Sequence, residues 1–288
     1  MLARSSPSRP TGRSRKAITR AILAVIVGCL IWGFLIEPSR LVVHETTLPL
    51  PAWPHALDGF KIALLSDIHA GAPFIREEKL AAIVAETNGT TPDLIVLAGD
   101  FVVGNEPLSR PIAPEIIARG LSGLRARLGV FAVLGNHDEW EDGPRVRKAL
   151  EAQGIHVLDN EVTEIHDRGS SIWIAGLADF MTRDQKIAAT VAKAGDLVIA
   201  LTHEPDSFPD MPSRVALTLV GHTHGGQVAL PLLGALVVPS RHGTRYAAGH
   251  IVEGGKHLFV TTGIGTSILP VRFGVTPEIA LLTLVAAP

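Results

Sequence analysis

Five short blocks concentrate the side chains that can do chemistry: Ser66-Asp67-Ile68-His69, Gly99-Asp100, Gly135-Asn136-His137-Asp138, Thr202-His203-Glu204 and Gly221-His222-Thr223-His224-Gly225-Gly226. Together they offer carboxylate oxygens, imidazole nitrogens and an amide oxygen, a donor set that suits manganese, iron or zinc. Thiolate plays no part, because Cys29 is the only cysteine. Taken singly, most blocks have an ordinary reading. An Asp-x-His at a strand end is commonly a hydrogen-bonded turn, Gly99-Asp100 is a turn signal, and Asn136-His137 after Gly135 fits a left-handed turn. His222 and His224 are sharper, since alternate residues on an extended segment point the same way and reach one cluster.

The blocks sit where apolar runs end. Runs at 61–65, 94–98, 130–134, 172–175, 197–201, 216–220, 257–261 and 279–285 are short, rich in β-branched residues and bounded by glycine. That pattern predicts strands buried on both faces. Stretches 76–88, 111–127, 144–153 and 182–194 have helical composition. The alternation predicts α/β layering in one catalytic domain, 59–288, with residues 37–58 as a connector. Ligands of such sheets bind outside the carboxyl ends of the strands, so the five blocks are expected to converge.

A chain of 288 residues, 47% of them hydrophobic, can bury one large core or two small ones. Its formal charge of −2 gives no overall basic character to attract nucleic acid, and no protein partner can be inferred. The N-terminus is more distinctive. Arg4, Arg9, Arg13, Arg15, Lys16 and Arg20 form a basic tail, 1–20, before an uninterrupted apolar run, 21–36. Sixteen helical residues rise roughly 24 Å, short of a ~30 Å hydrocarbon core unless Arg20 snorkels and its neighbours join in. No small-x-small cleavage site follows, so an uncleaved transmembrane anchor is expected rather than a signal peptide. The basic flank also argues against a buried core helix. By the positive-inside rule the tail stays cytoplasmic, giving a single-pass inner-membrane protein whose catalytic domain is periplasmic or otherwise extracytoplasmic.

The order of the blocks, D-x-H, G-D, G-N-H-[DE], H and G-H-x-H, resembles the calcineurin-like metallophosphoesterase superfamily over residues 60–265. Gly221 to Pro231, the tail Gly263 to Ser267, Pro270-Val271-Arg272-Phe273 and Pro277-Glu278-Ile279 are similar to its bacterial membrane-associated YaeI/YkuE-like branch. The resemblance implies a four-layer αββα sandwich after one N-terminal transmembrane helix. It implies two divalent metal ions, manganese first with iron or zinc as alternatives. Asp67, His69 and His224 would hold one, Asn136, His203 and His222 the other, and Asp100 would bridge them. With a metal-bridging hydroxide the charges sum to net +1, which favours an anionic phosphate. His137 would protonate the leaving group or stabilise phosphoryl charge, with Asp138 orienting it or serving only as a turn residue. Where purple acid phosphatases carry a tyrosine ligand, this chain has Phe101-Val102-Val103, which excludes that subtype. His55, His156, His166, His242, His250 and His257 lie outside the blocks and read as ordinary surface or core histidines.

The implied function is metal-dependent hydrolysis of phosphodiester or pyrophosphate bonds on a phosphorylated small molecule or lipid, at a membrane or cell-envelope substrate. A UDP-diacylglucosamine pyrophosphatase-like activity and a simple phosphomonoesterase remain as alternatives, the first in conflict with the expected orientation because that substrate is cytoplasmic. A metal-binding interaction module without catalysis is the non-enzyme reading. The apolar segment 229–239 reads as a plain hydrophobic hairpin or as a membrane-facing lip. Thr266, Ser267 and Arg272 are candidates to contact the non-reacting part of the substrate.

Overall fold

The computed structural model describes residues 12–287; residues 1–11 and 288 and the side chains of 12–14 lie outside that set, and with them the arginines expected at 4, 9 and 13 of the basic tail. In chain order the elements are α1 (Gly12–Ile31), β1 (Val42–Leu50), β2 (Phe60–Leu65), α2 (Glu77–Gly89), β3 (Leu94–Ala98), α3 (Pro114–Leu121), β4 (Val130–Val133), α4 (Asn136–Glu151) and β5 (His156–Val157). They continue with β6 (Glu161–Asp167), β7 (Ser170–Gly176), α5 (Ile187–Val191), β8 (Val198–Leu201), β9 (Val215–Val220), β10 (Ala229–Leu230), β11 (Gly234–Ala235), β12 (Gly249–Glu253), β13 (Lys256–Val260) and β14 (Glu278–Ala286).

Two six-stranded sheets result, in the orders β1-β14-β2-β3-β4-β5 and β12-β13-β9-β8-β7-β6. The central strands β2, β3 and β4 run parallel, as do β7, β8, β9 and β13. Their continuous apolar sequences follow from burial on both faces. One face of the first sheet packs on the second through Ile62, Leu64, Val96, Ile172, Ile199 and Leu217. The other face carries α2, α3 and α4 through Leu80, Ile83, Ile117, Leu121, Val146 and Leu150. The second sheet's outer face is covered by α5 and the 3-10 turns Pro205–Asp210 and Gly243–Tyr246, with Val191, Phe208 and Tyr246 buried there. This is the expected αββα layering, with a thinner last layer than a helix over 182–194 would make.

Residues 37–58 are not a connector. They contribute β1, which pairs in parallel with β14 from Val42 opposite Glu278 to Leu50 opposite Ala286. Before it, α1 runs on through a π-helical turn, Trp32–Ile36, and a 3-10 turn, Glu37–Ser39. The stretch Arg15–Ser39 is long and apolar enough to cross a membrane by length and composition. Its apolar residues from Ile18 to Leu35 point outward, and the helix touches the domain at its end. There the Arg272 N–H donates to the Gly33 carbonyl (2.9 Å). The buried Glu37 carboxylate accepts from Gly274 N, Thr276 Oγ1 and Trp32 Nε1.

Candidate metal centre

Parallel strands bring the loops after their carboxyl ends to one end of each sheet, and the five blocks meet there. The Asp100 carboxylate is the centre of the arrangement. Its Oδ2 lies 3.2 Å from His203 Nε2 and 3.6 Å from His69 Nε2. On one side Asp67, His69 and His224 bring ligand atoms within 4.8 Å of one another, and on the other Asp100, His203 and His222 do the same. His69 Nε2 faces His224 Nε2 at 3.2 Å, and His203 Nε2 faces His222 Nδ1 at 3.2 Å. Asp67 accepts the His222 backbone N–H through both oxygens, which ties the two halves together.

The donor set fits a pair of metal ions. His69 donates Nδ1–H to the Val102 carbonyl at 3.1 Å, and His203 directs Nδ1 to the Ala98 carbonyl at 2.6 Å, so each ring turns Nε2 toward the cluster. Burial pushes His69 down to about 3 and His222 down to about 4, and holds His224 well below the histidine range, so these three rings present lone pairs rather than protons. Asp67 is pushed up to about 6, chiefly by burial. Although burial opposes both charges, Asp100 and His203 hold each other ionised, the carboxyl well below its ordinary value and the imidazole well above. Asn136 Oδ1 is buried with no hydrogen-bond partner, an orphaned acceptor that a cation in this cavity would satisfy.

The local backbone is bent to build this cluster. Asp67, His69, Asp100, His222 and His224 all have left-handed φ, between 44° and 68°. Strain of this kind persists only where the surroundings enforce it. Two glycines allow the close approach. A Cβ on Gly135 would overlap Asp100 Oδ1, and one on Gly221 would overlap Ser66 Oγ and Asp67 Oδ2.

Asp138 does not orient His137. Its fully buried carboxylate accepts the backbone N–H groups of Asp100 (2.8 Å), Phe101 (2.9 Å), Val102 (3.1 Å) and Gly135 (3.0 Å). It therefore clamps the Asp100 loop to the start of α4, where Asn136 and His137 form the first helical residues rather than a left-handed turn. The group that faces His137 Nδ1 is Glu106 Oε1 at 3.4 Å. Glu106 sits in an irregular loop with no strand end or motif beside it, so the sequence carries no signal for it. His137 also lies within ligand reach of His69 and Asp100, edge-on to the His69 ring at 4.8 Å, with the Trp140 ring 5.1 Å away.

A cavity of about 870 Å³ opens over the cluster. Asp100, Asn136, His137, His222 and His224 form its floor, and Trp140, Phe180, Met181, Val237, Ile268 and Leu269 supply much of an apolar wall. Glu204 lines it too, and burial first of all raises that carboxyl well above its ordinary range. Ser267 reaches the cavity; Arg272 does not. Arg272 is wholly buried, and its guanidinium is held by the carbonyls of Thr262, Gly263 and Gly265, with Nη2 3.4 Å from His224 Nδ1. It supports the His224 loop from behind, outside the cavity lining.

The description "calcineurin-like phosphoesterase" belongs to the family model that matches residues 60–226. The metallophosphoesterase YkuE of Bacillus subtilis is 36% identical over 257 residues, covering 86% of this chain and 87% of its own length. Phosphodiesterase YaeI of Escherichia coli is 33% identical over 281 residues, 94% of this chain and 99% of that protein. A transmembrane protein with metallophosphoesterase domain from Danio rerio is 27% identical over 291 residues, 95% of this chain and 64% of its own.

Proposed function

The chain belongs to the calcineurin-like phosphoesterase family, and from that membership we propose that it hydrolyses phosphodiester or pyrophosphate bonds with two divalent metal ions. Asp67, His69 and His224 would hold one ion, Asn136, His203 and His222 the other, and Asp100 would serve both. The observation that carries this reading is the Asp100 Oδ2 within 3.6 Å of both His69 Nε2 and His203 Nε2, with the unsatisfied Asn136 lining the same cavity as Asp100. Manganese is the first candidate, iron or zinc the alternatives, since the donors are nitrogen and oxygen only.

Bound there, the ions supply Lewis acidity and an acidified water. The chain's own groups do the rest. His137, at the cavity floor, delivers a proton to the departing oxygen. Glu106 holds its Nδ1 side, leaving Nε2 to face the substrate. Asp138 fixes the Asp100 backbone, and Trp140 limits the swing of the His137 ring.

The substrate proposed is a phosphorylated molecule of the membrane or cell envelope, lipid-linked rather than a free nucleotide. The apolar wall of the cavity supports this choice. The N-terminal helix is proposed as a single-pass inner-membrane anchor, its core at 21–36, with the basic tail 1–20 in the cytoplasm and the catalytic domain periplasmic. Arg15, Lys16 and Arg20 at one end of the apolar stretch support that sidedness. It disfavours a UDP-diacylglucosamine pyrophosphatase role, whose substrate is cytoplasmic.

The test is a metal-reconstituted assay of bis-p-nitrophenyl phosphate against p-nitrophenyl phosphate. Diester hydrolysis that disappears in Asp100→Ala and His222→Ala is expected. Turnover of the monoester alone would overturn the diesterase reading, and full activity in either variant would overturn the metal mechanism.

A further inference from the structure

The segment from Val228 to Ser240 contains no charged residue, and it folds as the β10–β11 hairpin beside the metal cavity. Its tip is apolar and bare: Leu232 is fully exposed, Leu233 is 73% exposed, and Leu236 and Val237 are exposed as well. A second tip, Ile268-Leu269, lines the same cavity and is exposed too, Ile268 at 72%. Large side chains left in water on two adjacent loops are unfavourable unless something covers them.

Hydrogen bonds join these loops to the end of the apolar helix in an unbroken series. Ala229 N–H donates to the Phe273 carbonyl (2.8 Å), and Phe273 N–H to the Gln227 carbonyl (2.8 Å). Gln227 also holds the second tip, through Ser267 N–H to its Oε1 (2.8 Å) and its Nε2 to the Ser267 carbonyl (3.0 Å). One residue further, Arg272 N–H meets the Gly33 carbonyl of the helix. The helix end, the hairpin and the second tip are therefore fixed to one another, and the hairpin segment and the second tip line the cavity. Trp32 and Arg40 stand together at the helix end, the ring and the guanidinium 5.9 Å apart, as side chains at a membrane–water boundary do.

We propose that the occupant of this surface is the lipid bilayer: the β10–β11 tip and Ile268-Leu269 dip into the same leaflet in which the helix ends, so that the catalytic domain docks with its cavity mouth on the membrane. This deepens the proposed function, on which it rests for the placing of the anchor, by naming what the site faces. A phosphoester whose apolar part stays in the leaflet then reaches the metal centre without leaving the membrane.

The full-length chain carrying Cys29→Ser is reconstituted in nanodiscs of phosphatidylcholine and phosphatidylglycerol, with bimane attached at Leu233→Cys, Ile268→Cys or Arg168→Cys. Arg168 precedes β7, at the end of the sheet away from His203. Lipid bearing a nitroxide at acyl carbon 5 is the quencher, and retention of a metal-dependent rise in melting temperature shows that each labelled chain is folded. Probes at Leu233 and Ile268 should lose fluorescence about twofold, the depth expected of an interfacially inserted apolar face, while the Arg168 probe is unchanged. Equal, weak quenching at all three positions overturns the proposal. So does shielding of Leu233 from aqueous iodide without lipid quenching, which would mean that a protein covers the hairpin. Because the readout is independent of turnover, quenched tips in a chain inactive on bis-p-nitrophenyl phosphate would retain the docking and remove the catalytic reading.

Discussion

Asp138 receives the backbone N–H of Asp100 at 2.8 Å, and that bond, rather than any contact with its neighbour His137, explains an acid at this point of the chain. Replacing Asp138 by Asn puts a donor where only acceptors serve. Asp138→Asn is expected to lower stability by about 3 kcal/mol, the scale of losing charge-assisted hydrogen bonds in a buried site. Metal affinity should fall with it, because the Asp100 loop loses its clamp. Thermal melting with and without metal checks both, and an unchanged melting temperature would refute the clamp.

His137 and Glu106 should separate by kinetics. His137→Ala is expected to lower kcat by about 10² to 10⁴, the usual contribution of a positioned proton donor. Glu106→Gln retains size and an acceptor oxygen, so its loss should be much smaller, while Glu106→Ala should fall between them. The comparison to make is kcat at saturating bis-p-nitrophenyl phosphate. A Glu106→Ala enzyme with the wild-type kcat would show that the 3.4 Å approach to His137 has no bearing on turnover.

Chelation should both silence and soften the protein. At metal a thousandfold above its dissociation constant, binding adds about 4 kcal/mol of stability, and a chelator removes it. Asn136→Ala deletes the orphaned amide oxygen and should shift the metal titration to higher concentration without lowering the metal-free melting temperature. Coincident titrations for the two chains would exclude Asn136 as a ligand.

Acid sensitivity has a part that lies away from the metal site. His250 Nε2 and His257 Nδ1 are 3.0 Å apart on paired strands, and burial first of all lowers both imidazoles, with His257's charge adding to the effect on His250. The folded chain thus takes up protons less readily than the unfolded chain, whose histidines titrate near ~6.5. Stability is present above that pH and is lost as pH falls through it toward the folded values. His250→Gln should narrow the drop in metal-free melting temperature between pH 7 and pH 5 by a few degrees. A drop identical to that of the wild-type chain would refute the coupling.

The strands that the sequence reveals and those it hides differ by position. β2, β3, β4, β7, β8, β9, β13 and β14 are interior strands of the two six-stranded sheets, and their runs of Val, Ile, Leu and Ala stand out. β1, β5, β6 and β12 are the edges of those two sheets. Edge strands meet water and carry charge or proline to resist further pairing, as Glu45 and Pro49 do in β1 and Glu161 and Glu164 in β6. Hence residues 37–58 look like a connector. The five blocks were legible because each follows an interior strand. Glu106 was not, since it reaches His137 from a loop, and the function of Asp138 was hidden because backbone acceptance leaves no mark in residue type.

Arg272 has one hand on each of two things usually treated as separable: its amide N–H grips Gly33 of the apolar helix, and its guanidinium lies 3.4 Å from His224. The helix is therefore a buttress of the 271–273 segment. A fragment that begins after it removes the Gly33 carbonyl, the Trp32 bond to Glu37 and the outer wall of the 271–273 segment. Trimming the chain for solubility alters the mounting of His224, and kinetics measured on such a fragment describe a different mechanical object.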